Sequence, residues 1–220
     1  ATIGLAKYIV SKGKKNMARG VVVSYDTRKF SKEFAIISAI TLSKFNIKVY
    51  LFENVRPVPL CSFAIRELNA FAGIMITASH NPKQYNGYKI YGEDGAQMGL
   101  DATKKVVKHI DSTKYFGELE IKPEEIFSHE SIKQFENKDL NEHISIIGSD
   151  IDSKYFDAIS KLSLSAKAIQ EYGKDIKVVY TPIHGTGYMP VSNVLNRLGI
   201  SVSLVEEQCT MDSDCTRSKP

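Results

Sequence analysis

The 220 residues carry a net charge of +4, with 43% hydrophobic and 25% charged side chains. That is enough apolar material for a packed core, and it lacks the basic, aromatic-interleaved stripe that a nucleic-acid partner would want. No apolar run approaches membrane-spanning length, so a membrane partner is not expected either. Three cysteines, Cys61, Cys209 and Cys215, cannot all pair with one another; they match no zinc spacing and suit a reducing cytoplasm. The opening residues, Ala1 to Val10, are too interrupted by polar groups for a secretory signal.

Ile3, Ala6, Ile9 and Val10 recur at helical spacing, and Gly13 follows as a stop. Gly20 to Tyr25 is a β-branched run with the traits of a buried parallel strand, ending in Asp26-Thr27-Arg28. Ser31 reads as the N-cap of a helix with Phe34, Ile37, Ile40 and Thr41 on one face. A second strand is expected from Ile47 to Phe52. Pro59 suits the first turn of a third helix carrying Leu60, Phe63, Ala64 and Leu68. The apolar run from Gly73 to Ile76 then makes a third strand.

This alternation predicts an α/β fold, a parallel or mixed sheet with helices on both faces. All three strands deliver their following loops to one rim, which places Asp26 and Arg28 near the polar segment Ser79-His80-Asn81. An isolated Ser-His-Asn reads as a turn cap. A serine on a tight loop at the carboxyl end of a buried strand, however, lies where open α/β sheets put their chemistry. For Arg28 two readings stand side by side: an arginine ion-paired to a turn aspartate, or a cation near a phosphate site.

Residues 86 to 98 carry Gly87, Gly92 and Gly95 between short runs, which reads as a hairpin with Lys89 on its first strand. Leu100 to Ile110 is a helix expected to be capped by Asp101. Asp111 to Asp150 is charge-rich and aperiodic, read as irregular structure around a strand near His143 to Ile147. His109, His129 and His143 have no partners at ligand spacing. Tyr155, Phe156, Ile159 and Leu162 mark a helix leading out of the first unit. Ile176 to Tyr180, Val191 to Leu198 with Gly199 as C-cap, and Ser201 to Val205 start a second strand–helix–strand unit. The expected division is 1–150 for the first domain and 151–220 for a linker helix and an incomplete second domain.

Thr77-Ala78-Ser79-His80-Asn81-Pro82, Asn86-Gly87-Tyr88-Lys89 and Thr181-Pro182-Ile183-His184-Gly185 together resemble the α-D-phosphohexomutases, the phosphoglucomutase and phosphomannomutase family. The resemblance implies phosphoryl transfer between the 1- and 6-hydroxyls of a hexose phosphate, glucose first. Ser79 would be carried as phosphoserine, with glucose 1,6-bisphosphate as activating intermediate. Lys89 would stabilise the transferring charge or move a proton, and His80, Asn81 and Arg28 would line the site. It also implies Mg2+, held by the Ser79 phosphate and by three aspartates of an Asp-Gly-Asp-x-Asp-Arg type loop. No such run occurs in these residues; Asp212-Ser213-Asp214 matches it only superficially. The chain therefore reads as an amino-terminal fragment with little activity of its own.

Other readings have a residue basis. A truncated, non-catalytic relative would keep the same motifs. Gly185-Thr186-Gly187 after a strand, with Glu206 beyond the next, approaches a dinucleotide fingerprint, although Pro190 replaces its third glycine. Ser79 lacks the flanking glycines of a hydrolase elbow. His184 reads as a turn-packing histidine.

Overall fold

The computed structural model describes residues 1–114, 116–127, 132 and 142–216. Its first β-branched run becomes β1 (Val21–Tyr25), which pairs in parallel with β2 (Val49–Phe52) and β3 (Ala72–Ile76). β4 (Tyr88–Tyr91) lies antiparallel against β3, and β5 (Ile144–Ile147) lies parallel to β2. The order across the sheet is β4-β3-β1-β2-β5. β1 and β3 are buried at every position, as continuous apolar runs must be when both faces of a sheet are covered.

The two faces have separate cores. Val21, Val23 and Tyr25 meet α1 (Thr2–Ser11) and α3 (Ser31–Ser43) through Leu5, Ile9, Ile36 and Leu42. Val22 and Met75 meet α4 (Val58–Glu67) and α7 (Ser149–Ser160) through Leu60, Ile65 and Ile151. Each such fully buried Leu or Ile contributes roughly 1.5–3 kcal/mol. The short α2 (Lys14–Arg19) joins α1 to β1, while α5 (Leu100–Asp111) and α6 (Pro123–Phe127) add Val106 and Ile126 to the first core.

Several local expectations are corrected. Ser31 is not the N-cap of α3. Phe30 takes that position at φ 64°, and the Ser31 hydroxyl instead donates to Asp26 Oδ1 at 2.7 Å. Phe34 is 44% exposed, because the buried face of α3 is formed by Ala35, Ile36 and Ala39 instead. Asp101 lies in the first turn of α5 behind the N-cap Gly99, where it can favour the helix's positive end without capping it. Leu162 falls beyond α7 and is exposed. His129 lies outside the described residues.

After α7 comes α8 (Ala166–Tyr172), which the sequence pattern does not announce because none of its residues is buried. β6 (Lys177–Tyr180) and β7 (Ser201–Leu204) then pair in parallel, joined by α9 (Tyr188–Arg197). α9 begins three residues before the expected Val191, with Pro190 in its first turn, where a missing N–H costs nothing. Leu198 is its C-cap and Gly199 follows at φ 76°. The fold is α/β: a mixed sheet with helices on both faces, followed by the start of a second α/β unit, a two-stranded parallel sheet. No helix among the described residues is long and apolar enough to cross a membrane.

Candidate active site

β3 ends at Ile76 and the chain turns sharply. Thr77 Oγ1 accepts from the Ser79 N–H at 3.0 Å, and the Asn81 N–H donates to the Ala78 carbonyl at 3.1 Å. The tight turn forces Ser79 to φ 59°, a left-handed conformation that serine rarely adopts. Ala78 stays buried while Ser79 and His80 are exposed. The loop thus holds its backbone inside and offers its serine hydroxyl outward.

Arg28, from the loop after β1, fixes this shape. Its Nη2 donates to the carbonyls of Ser79 (2.8 Å) and Asn81 (2.7 Å), and its Nη1 to those of Pro82 (2.9 Å) and Tyr85 (3.0 Å). Nε faces Asp26 Oδ2 at 3.3 Å. Asp26 Oδ1 in turn accepts from the Arg28 N–H at 3.0 Å and from the Ser31 hydroxyl. Every N–H of the guanidinium is therefore directed at the loop or at Asp26. The topology does bring Arg28 to Ser79, but its donors clamp carbonyls and leave none for a phosphate.

Asn86 and Gly87 brace the far end of the loop. Asn86 Nδ2 donates to the Lys29 carbonyl (3.1 Å) and the Ser31 hydroxyl (2.9 Å), while Oδ1 accepts from the Gly87 N–H (2.8 Å). The Gly87 carbonyl receives the Thr77 N–H at 3.0 Å, and a Cβ at Gly87 would stand 2.6 Å from the Thr77 oxygen. Only glycine fits that approach. Lys89 follows on β4, directly opposite Met75, so the two side chains share a face of the sheet. Lys89 is half-buried and has no hydrogen-bond or ion-pair partner among the described residues, yet it does not line the cleft that contains Ser79.

That cleft, of ≈ 420 Å³, runs between the serine loop and two loops of the second unit, and includes Arg28, Ser79, Asn81, Lys83, His184 and Asp212. Lys83 pairs with Asp214 across it at 2.8 Å, and this hydrogen bond raises the lysine pKa above its ordinary value. Asp212 sits at about 2, held down first by the Thr216 hydroxyl and then by the backbone N–H groups of Thr216 and Asp214. His184 is buried, with Nδ1 at 2.9 Å from the Thr210 carbonyl. The sequence reading missed Lys83 as a cross-cleft contact; its partner lies 131 positions away, beyond any local signal.

Among the described residues no group of three or more His, Cys, Asp or Glu could hold a metal ion. Both carboxylates of the cleft are committed, Asp26 to Arg28 and Ser31, Asp212 to Asp214 and Thr216. These residues do not by themselves form a magnesium site. The glycine-rich turn before α9 does not read as a dinucleotide cradle either: a Cβ at Gly187 would collide with the Tyr180 hydroxyl, so that glycine serves packing.

The model of the phosphoglucomutase/phosphomannomutase α/β/α domain I matches residues 1–116, and that of domain II residues 153–220. The chain belongs to the phosphoglucomutase/phosphomannomutase family. A phosphoglucomutase of Staphylococcus epidermidis is 39% identical over 214 residues, 96% of this chain and 35% of that protein. One from Staphylococcus haemolyticus is 37% identical over 220 residues, 99% of this chain and 36% of that protein. The chain thus spans about a third of the length of these relatives. A Thermus thermophilus structure described as a phosphomannomutase superposes with a TM-score of 0.70 at 26% identity, over 96% of this chain and 41% of that one. The Paramecium phosphoprotein pp63/parafusin in its open form shares the fold, at TM-score 0.69 and 23% identity, over 100% of this chain and 42% of that one. Within this family member, β5 falls between the two matched segments and still completes the first sheet.

Proposed function

We propose that Ser79 is the phosphoryl carrier of a phosphohexomutase acting on a hexose phosphate, with glucose the first choice. The observation that carries this reading is the serine's presentation: exposed, left-handed, at the carboxyl end of a buried strand and clamped by Arg28. In the forward half-reaction a hexose hydroxyl oxygen bonds to phosphorus as the Ser79 Oγ–P bond breaks, and the hydroxyl proton ends on the departing Ser79 Oγ. The resulting 1,6-bisphosphate presents its other phosphoryl group, and Ser79 Oγ recovers it by the reverse exchange. Such transfers depend on positioning and on cationic surroundings rather than on a strong nucleophile.

Arg28 acts here as a positioning residue, since its donors hold the loop. His80 and Asn81 flank the carrier. Lys89 supplies a cation on β4, the strand paired with the one that ends in the serine loop. A magnesium ion serving the whole protein draws its carboxylate ligands from outside these residues. The reading keeps 1–150 as the first domain, 151–220 as a linker helix and an incomplete second domain, and a cytoplasmic setting suited to a hexose phosphate.

Incubating the chain with glucose 1,6-bisphosphate and mapping phosphopeptides by mass tests the reading. Phosphate on Ser79, absent from Ser79→Ala, is the expected result; phosphate on another residue in its place overturns it.

A further inference from the structure

Beyond the serine loop, the polar group with the least explanation is the His184 ring. It is 2% exposed, and its Nε2 is buried without a hydrogen-bond partner among the described residues. Nδ1 faces the Thr210 carbonyl, which can only accept, so Nδ1 carries the proton. In the neutral ring Nε2 is then a bare acceptor, and burying an acceptor without a donor is unfavourable. The backbone is strained to place it there: Ile183 and His184 adopt φ 48° and 58°. The His184 N–H is anchored to the Gln208 carbonyl at 2.9 Å. Ring and main chain are fixed, and Nε2 alone is uncommitted.

His184 lines two clefts. In the one shared with Glu53 and Arg56, the guanidinium is already spent on Asp152 and on the Val55 carbonyl. The other contains Ser79. Resting on the reading of Ser79 as phosphoryl carrier, we propose that His184 is a ligand-binding residue of that cleft, its Nε2 accepting a hydrogen bond from a hydroxyl of a polyhydroxylated phosphate ester. A neutral acceptor favours hydroxyl groups and disfavours anionic oxygens, so His184 reads the sugar and not its phosphate. Asp212 already accepts three hydrogen bonds, from the Asp214 N–H and from the Thr216 N–H and hydroxyl.

His184→Asn isolates this role. The asparagine amide N–H replaces Nδ1–H towards Thr210, asparagine tolerates positive φ, and only the far side of the ring is lost. Calorimetry on the full chain and the variant would use glucose 1,6-bisphosphate and inorganic phosphate, alongside the 15N resonance of His184 Nε2. We expect bisphosphate affinity to fall about fivefold, phosphate affinity to stay unchanged, and the Nε2 resonance to move when bisphosphate is added to the parent chain. Equal bisphosphate affinities with an unmoved resonance overturn the His184 assignment alone. A matching loss of phosphate affinity also overturns it, since the ring would then face the phosphoryl group. Absence of bisphosphate binding to the parent chain overturns the reading of Ser79 as well.

Discussion

The loops after β3 and β6 are built alike and used differently. In each, a threonine Oγ1 accepts from the N–H two residues on, Thr77 from Ser79 at 3.0 Å and Thr181 from Ile183 at 3.1 Å. In each, the N–H four residues after that threonine returns to the carbonyl one residue after it, Asn81 to Ala78 and Gly185 to Pro182. Each holds a non-glycine residue at positive φ. The first loop is clamped by an arginine and turns its serine outward; the second turns its histidine inward. One backbone device thus presents either a reactive group or a recognition group, and the surrounding side chains decide which.

The largest expected effect comes from a buried ion pair at the cleft that Arg56 shares with His184. Arg56 binds Asp152 through Nε (2.8 Å) and Nη2 (2.6 Å), both residues buried, tying the loop after β2 to α7. Asp152→Ala leaves the buried guanidinium with only the longer contact to Glu53, at 3.6 Å, and the Val55 carbonyl, and should cost about 3–5 kcal/mol in a urea melt.

Next, Arg28→Ala should cost about 1.5–3 kcal/mol. Amide exchange should accelerate across the serine loop only, leaving the loop of His184 protected. Arg28→Lys should recover little, because an ammonium cannot fork across four carbonyls.

Thr77→Val and Thr181→Val compare the loops directly, at about 0.5–1.5 kcal/mol for each lost bond. The second should cost more by denaturant titration, because the Thr181 hydroxyl also donates to Gln208 Oε1 at 2.5 Å. Equal costs would show that this extra bond contributes nothing.

The smallest effect concerns pH. Asp212 sits at about 2, below the ordinary carboxylate range, so what it contributes is fully present above that range and is lost as pH falls through about 2. Thr216→Val removes the largest cause, and a carbon-detected titration of the Asp212 carboxyl should find it moved upward.

Much of this was legible in the residues themselves. An apolar run ending abruptly at Thr77 marked the serine loop, and parallel topology alone brought Arg28 to it. The use of Arg28 was not legible, since hydrogen bonds to carbonyls leave no trace in side-chain pattern. Asp152 passed as an ordinary residue in the first turn of α7, its partner being 96 positions away. α8 escaped notice because a helix that buries nothing needs no apolar period.

The placement of β5 bears on how the first unit can be cut. Its four residues cover the outer edge of β2, although they lie far along the chain, past the end of the matched domain I segment at residue 116. A polypeptide ended at that residue would leave the ladder of Val49–Phe52 open, with buried-type side chains and unpaired backbone groups along one side. Such an edge is a template for a second strand, and the shortened protein would be expected to associate with copies of itself.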